Sequence, residues 1–216
     1  MIENLGNAPH LVLELIASFL VGENRTLFNL ILTCKRFTEK RHLFLKNCVF
    51  ERKKSRELYK KRPKYWNQVH TLDLSHTGVR DVSALGNLHT LNLSDTYVRD
   101  VSALGNLHNL YLYDNNVRDV SSLGNLHTLG LSFTEVTDVS ALGNLYHLDL
   151  SHTDVRDVSA LGNLHNLDLS NTDVRDVSAL GNLHFLDISD TNVTNISALK
   201  NVKKLILEHK YSYLFS

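Results

Sequence analysis

The chain has 216 residues, of which 43% are hydrophobic, and it contains only two prolines and ten glycines. This composition provides enough apolar side chains for a folded core and excludes a chain dominated by disorder or linkers. Residues 1–66 carry 14 basic against 6 acidic side chains, whereas residues 67–216 carry 9 against 17. Such an asymmetry predicts two modules with different partners.

Residues 1–50 carry apolar side chains at helical spacing. An amphipathic helix is predicted to begin near Pro9, because proline is tolerated in a first turn. A second helix is predicted around residues 27–34 and a third over about residues 37–48. Three short helices cannot cover their own apolar faces, which favours docking onto a partner helix. The apolar positions of the first two helices are Val12, Leu13, Ile16, Leu20, Leu27, Leu30, Ile31 and Cys34.

The two cysteines, Cys34 and Cys48, are too few for a disulfide framework and are predicted to be reduced thiols. The chain contains no apolar run of about 18 residues, and its apolar stretch at residues 11–21 lacks the basic start and the cleavage site of a signal peptide. These features predict a cytoplasmic or nuclear protein.

Residues 51–66 form a basic stretch that is predicted to be a linker helix. Its lysines and arginines are expected to be solvated, because basic side chains alone supply only salt-sensitive, nonspecific attraction to nucleic acid or membrane. Tyr65 and Trp66 are expected to cover the first unit of the following array. The basic residues are Arg52, Lys53, Lys54, Arg56, Lys60, Lys61, Arg62 and Lys64.

From residue 67 onward the sequence repeats with a period of 19 residues, and the unit recurs seven times. The unit at residues 145–163, LYHLDLSHTDVRDVSALGN, defines repeat positions 1 to 19 used below. Apolar residues at positions 4 and 6 flank one polar residue, which predicts a short strand. Apolar residues at positions 11, 14 and 17 have a spacing of three, which predicts a 3₁₀ turn.

The remaining positions of the unit suggest local roles. Aspartate at position 13 is predicted to cap the 3₁₀ turn. Glycine at position 18 is predicted to adopt a positive φ and to end the turn. Threonine at position 9, replaced once by Asn115, is expected to form a buried ladder that bonds to the turn backbone.

This repeat resembles the leucine-rich-repeat family. The resemblance implies an α/β solenoid whose concave side is a parallel sheet of about eight strands and whose convex side is built from 3₁₀ turns and loops. The predicted organisation is a helical domain at residues 1–50, a linker at 51–66, repeats at 67–210 and a capping tail at 211–216. The near-identical short units also look like arrays carried by large DNA viruses, which would place the protein in the host cytoplasm.

The helical head resembles an F-box. The string Thr33-Cys34-Lys35-Arg36-Phe37, at its distance from Pro9, carries most of the resemblance. The resemblance implies binding to Skp1 and recruitment of a cullin-type ubiquitin ligase, with the repeats selecting a substrate protein. The alternative is a general scaffold without a ligase role. The residues implied in Skp1 binding are Pro9, Val12, Leu13, Ile16, Leu20, Leu27, Leu30, Cys34, Lys35 and Phe37.

Histidine recurs at repeat position 2 and is predicted to form a column with a spacing of about 5 Å. Metal sites require converging ligands, so a straight row favours harmless duplication over a metal site. The recurring Ser, His and Asp do not converge on one pocket as a hydrolase requires. No catalytic residue, cofactor or metal is expected. The column comprises His70, His89, His108, His127, His165 and His184, with Tyr146 and Lys203 as exceptions.

The candidate binding site lies where the repeat changes on the predicted concave face. Positions 3, 5, 7 and 8 are expected to face outward there, and aromatic residues replace small polar ones in the third to fifth units. Aromatic anchors beside acidic residues are typical of a protein-binding surface, whereas neutral drift would give the same pattern without a partner. The acidity of the surface argues against nucleic acid. The predicted substrate-binding residues are Tyr111, Tyr113, Phe133, His147, Asp149, Asp168 and Asp187.

Overall fold

The computed structural model describes residues 49–50 and 71–207. Within these residues, nine parallel strands form one sheet in sequence order. Equivalent residues of consecutive repeats pair, as Leu72 does with Leu91, so the register follows the 19-residue period. The strands are β1 (Val49–Phe50), β2 (Thr71–Asp73), β3 (Thr90–Asn92), β4 (Asn109–Tyr111), β5 (Thr128–Gly130), β6 (His147–Asp149), β7 (Asn166–Asp168), β8 (Phe185–Asp187) and β9 (Lys204–Ile206).

Eight of these strands belong to the repeats, and they confirm the predicted parallel sheet. The ninth, β1, was not predicted, because it lies before the repeats in a segment assigned to the helical head. It pairs with β2, Val49 opposite Thr71, and extends the sheet by one strand.

Short 3₁₀ helices follow the strands, as the apolar spacing of three predicted. In the second unit the N–H of Leu104 donates to the carbonyl of Val101, and the N–H of Leu107 donates to the carbonyl of Leu104, at 2.9 and 3.2 Å. These i to i+3 bonds turn all three side chains inward, where they are buried. The helices are Ser102–Leu104, Ser121–Leu123, Ser140–Leu142, Ser159–Leu161, Ser178–Leu180 and Ser197–Asn201.

The core is a single apolar column between the sheet and the 3₁₀ side. Positions 1, 4, 6, 11, 14 and 17 supply its side chains, and in the middle repeats all six are buried. One repeat alone could not bury this surface, so each depends on its neighbours. Towards the ends of the described repeats burial is less complete, as at Val79, Ile196, Val202, Leu205 and Leu207.

Aspartate at position 13 organises the start of each 3₁₀ segment, although one residue earlier than a standard N-cap. In the second unit, Asp100 Oδ1 accepts a 2.9 Å hydrogen bond from the N–H of Ser102, whereas the N-cap residue itself is Val101. Bonds from the serine N–H and hydroxyl lower the pKa of this group of aspartates. They are Asp81, Asp100, Asp119, Asp138, Asp157 and Asp176.

The prediction for glycine at position 18 is wrong. None of the described glycines has a positive φ, and Gly162 has φ −65°. Glycine is needed here because consecutive repeats approach closely: a Cβ on Gly162 would lie 2.5 Å from the carbonyl oxygen of Ala179 in the next repeat. Positive φ occurs instead at position 8, in the turn after each strand: His76, Asp95, Asp114, Phe133, His152, Asn171 and Asp190.

The threonine ladder at position 9 is confirmed. Thr153 Oγ1 donates a 2.6 Å bond to the carbonyl of Leu150, and four other repeats share this bond. Thr96 is the exception, because the amide of Asn115 in the next repeat donates to the carbonyl of Leu93 at 2.9 Å. Thr96 therefore donates to Asn115 Oδ1 instead. Each threonine hydroxyl of this ladder thus has an acceptor, as a dry core requires.

The F-box-like head up to residue 48, the linker at 51–66 and the capping tail at 211–216 lie outside the described residues, as do Cys34 and Cys48. In the part of the chain that is described, no helix is long and apolar enough to cross a membrane.

Replacing Gly162 by Ala tests the close approach of repeats. The added methyl would meet backbone that cannot move independently, so we expect a loss of roughly 1–3 kcal/mol in the free energy of unfolding. Gly78→Ala is the control, because a Cβ at Gly78 meets nothing within 4 Å. Urea denaturation of both variants measures the difference, and equal stabilities would contradict the explanation.

Candidate binding face of the sheet

The outward side chains at positions 3 and 5 form one face of the sheet, called here the open face. The central leucine of each strand from β4 to β7 is buried, whereas its two neighbours are half-buried or exposed, except for the buried Gly130 in β5. Position 7 is less accessible than expected: Ser75, Ser132 and Ser151 are buried. The open face therefore consists of positions 3 and 5 together with Tyr113, a half-buried position-7 side chain that lies over Gly130, and position 8 lies at the edge where the strands end.

Two tyrosines interrupt the open face in the third unit. The rings of Tyr111 and Tyr113 lie 5.9 Å apart. Gly130 pairs with Tyr111 across the sheet and lies directly beneath Tyr113. A Cβ on Gly130 would be only 2.5–2.6 Å from three atoms of the Tyr113 side chain. In the sequence Gly130 stands where most repeats have aspartate or asparagine, but the repeat pattern alone does not predict this role. The glycine makes room for the Tyr113 side chain against the sheet.

The Tyr113 hydroxyl lies in a negative environment. Burial, and to a smaller extent the nearby Asp149, Tyr111 and Asp168 in that order, together raise its pKa to about 12. Tyr113 therefore links the aromatic pair to the acidic residues of the following repeats.

Three carboxylates continue the open face at position 5. Asp149 pairs with Asp168, and Asp168 with Asp187, so the row follows the strand register. In each case Oδ1 accepts a bond of 2.9–3.0 Å from the N–H of the serine two residues later. Burial raises the pKa of Asp168. The hydrogen bonds from Ser170 lower this pKa, and the negative charges of Asp149 and Asp187 raise it to a smaller extent.

Phe133 occupies the turn after β5, at position 8. It is 57% exposed, and it has a φ of 58°, which is strained for a bulky side chain. Every other described repeat has His, Asp or Asn there. Its ring stacks on His152 of the next unit, with centroids 4.1 Å apart and planes inclined by 11°.

The structure places six of the seven predicted binding residues on the open face and puts Phe133 at its edge. His147 is exposed at position 3, where its Nδ1 lies 3.0 Å from Asn166 Nδ2. It belongs to the same strand as Asp149. The sequence pattern therefore identified a contiguous surface, although its role in binding stays a prediction.

The position-2 column also exists. Consecutive rings from His89 to His184, including Tyr146, have centroids 4.4–4.8 Å apart. His70 lies outside the described residues. The described residues contain no group of three or more His, Cys, Asp or Glu side chains that could hold a metal ion. The rings stack on one another in a row.

Comparison with known proteins identifies relatives of the fold. No protein-family model and no curated protein sequence matches the chain. Internalin F of Listeria monocytogenes is 27% identical, with a TM-score of 0.59 over 66% of this chain and 48% of that one. Internalin C2 of the same bacterium is 23% identical, with a TM-score of 0.60 over 77% of this chain and 84% of that one.

A further solved structure is TLR13 in complex with the RNA ssRNA13, which is 26% identical, with a TM-score of 0.51 over 64% of this chain and 24% of that one. The chain thus spans about half of the internalin F chain and a quarter of the TLR13 chain. Together with the parallel ladder and the 3₁₀ turns, these similarities show that the chain has the leucine-rich-repeat fold.

Replacing Tyr113 by Phe tests the electrostatics of the open face. Because the folded-state pKa is raised, from the ordinary value of 10.0 to about 12, ionisation favours unfolding. The contribution of Tyr113 to stability is fully present below pH 10 and is lost as the pH rises through about 12. We expect the urea midpoint to fall more between pH 9 and pH 11 in the natural protein than in Tyr113→Phe.

Tyr97→Phe is the control, since Tyr97 is 65% exposed and stands away from the open face, under Arg80. Equal losses in all three proteins would show that burial and the neighbouring acidic groups do not raise the pKa of Tyr113.

Proposed function

We propose that this chain is a non-enzymatic binding module that holds a partner protein on the open face of its repeats. The aromatic interruption at Tyr111, Tyr113 and Phe133 carries the proposal. These three side chains add apolar surface in two neighbouring repeats, beside the charged groups of the open face. Interfaces commonly concentrate their binding energy in such aromatic anchors.

The backbone strain at Phe133 supports a role in binding. A left-handed backbone at a non-glycine residue costs on the order of 1–3 kcal/mol, and Asp and Asn accept it best. A phenylalanine that is both strained and exposed gains little for folding. Backbone strain of this kind is often retained at functional sites.

The geometry does not favour hydrolysis at the recurring Asp-Leu-Ser-His sequence. Ser151 is buried and donates to Asp149 Oδ1 at 2.7 Å, while His152 is stacked on Phe133. A serine nucleophile needs an accessible hydroxyl bonded to a base. We therefore propose binding without catalysis.

Protein is a better partner than RNA for this face. The TLR13 complex contains RNA, but the open face of this chain carries Asp149, Asp168 and Asp187 in one row. A phosphate backbone would be repelled there, since nucleic-acid affinity depends on basic side chains.

We further propose that residues 1–50 dock onto a Skp1-like protein and thereby connect the bound partner to a cullin-type ubiquitin ligase, in the cytoplasm or nucleus. The support for this finer proposal is the F-box resemblance of the sequence from Pro9 to Phe37. The alternative is a scaffold whose head does not bind Skp1.

A triple replacement of Tyr111, Tyr113 and Phe133 by Ala tests the anchor. We expect the triple variant to lose the proteins that the natural chain retains from a cell extract, while its thermal unfolding stays cooperative. The matched control is Tyr97→Ala with Tyr146→Ala, which removes two exposed aromatics from other surfaces. If the triple variant retained the same proteins as the natural chain, the anchor would be misplaced.

Binding of purified Skp1 to the full chain tests the head. We expect Skp1 to be retained by the natural chain and lost with Ile16→Asp plus Leu20→Asp, because charge would be placed on the apolar docking face. Ser18→Asp, at a polar position of the same predicted helix, should bind normally. Absence of Skp1 binding by the natural chain would leave the scaffold reading.

A further inference from the structure

In the described part of the chain, the aspartates of the open face, Asp149, Asp168 and Asp187, form no ion pair with a basic side chain. Their bonds are to serine N–H and hydroxyl groups of their own repeats. Lys204, at position 3 of β9, places its ammonium group over the Phe185 ring, 5.2 Å from the centroid. Three carboxylates in neighbouring strands therefore face solvent together.

Two of the arginines at position 12 form ion pairs with acidic residues at position 10 of the next repeat. Arg118 Nε lies 2.6 Å from Glu135 Oε2, and Arg156 lies 3.1 Å from Asp173. These pairs join neighbouring repeats away from the open face. These two arginines therefore do not neutralise the aspartates of the open face.

Aromatic side chains lie at both ends of the three aspartates: the tyrosines at one end and Phe185, in the same strand as Asp187, at the other. Position 5 runs through Tyr111, Gly130, Asp149, Asp168 and Asp187 in five adjacent strands. At about 4.8 Å per strand the row is about 19 Å long. An extended peptide advances about 3.3 Å per residue, so some six residues, laid across the strands, would cover it.

We propose that the open face binds an extended basic segment of the partner protein, with arginine or lysine side chains against the three aspartates and an apolar or guanidinium group against the tyrosines. This inference rests on the proposed function and specifies the partner. Guanidinium groups pair with carboxylates and also stack on aromatic rings, so one residue type suits both ends of the row.

The row costs stability when the face is free. Burial and its acidic neighbours raise the pKa of Asp168, so its charge opposes folding at neutral pH. A bound cation would relieve this repulsion. Removing the charges should therefore stabilise the free protein and weaken its binding. If the aspartates served only the fold, their replacement would lower stability and leave binding unchanged.

The test uses the full chain and a fluorescein-labelled peptide of four Gly-Arg repeats, measured by fluorescence anisotropy at constant salt. We expect the variant Asp149→Asn, Asp168→Asn, Asp187→Asn to bind at least tenfold more weakly, with an unchanged or higher melting temperature. Asparagine preserves the local bonds, as Asn92 shows by accepting from both groups of Ser94. Tyr111→Ala with Tyr113→Ala should also weaken binding.

The control variant is Asp100→Asn, Asp119→Asn, Asp138→Asn, which removes the same charge from three consecutive repeats at position 13. Asn195 shows that asparagine keeps the bond there. We expect less than a threefold effect. Equal weakening by both variants, tighter binding of a labelled oligouridylate, or no peptide binding by the natural chain would overturn the basic-segment inference. Loss of retained proteins in the aromatic variant would still support the proposed function.

Discussion

The close approach of consecutive repeats is the constraint on which the rest of this structure depends. Each strand donates and accepts backbone hydrogen bonds across one repeat interval, as when the N–H of Leu131 bonds to the carbonyl of Asp149 at 2.8 Å. Glycine at position 18 allows the 3₁₀ side to approach as closely, where Gly162 faces the carbonyl of Ala179. Leucines at fixed positions then fill the column between the two sides.

Copying one unit in register also copies its electrostatics. Any side chain at an outward position meets its own kind about 4.8 Å away, so aspartates stack into a row and imidazoles into a column. Like charges at that spacing raise the free energy of the folded state, and Asp149 and Asp187 add in this way to the larger effect of burial in raising the pKa of Asp168. The units that break the pattern, with Tyr111, Tyr113, Gly130 and Phe133, therefore distinguish one part of the open face from the rest. This region is the candidate site because it combines a tyrosine packed over a glycine of the sheet with a phenylalanine in a strained backbone conformation.

Much of the architecture could be predicted because the repeat averages out local ambiguity. The strand at positions 3 to 5, the inward turn ending at Leu104 and the bond from Thr153 to the backbone all follow from residue type and spacing. The roles of Gly162 and Asp100 were less predictable. A glycine after a turn is compatible with a positive φ and with a close contact, and sequence alone does not distinguish them. The aspartate lies one residue before the N-cap, because its side chain reaches the serine two residues on.

The sequence by itself determined the period, the strand register, the composition of the core and the residues that deviate from the repeat. These depend on alternation and on spacing, which are local properties. Only the tertiary structure decided which deviations meet one another. It placed Tyr113 over Gly130 in the next strand, brought Asp149 close to both, and stacked Phe133 on His152. It also added the strand at Val49–Phe50, since a two-residue strand has no pattern of its own and forms only because an edge of the sheet is there to pair with.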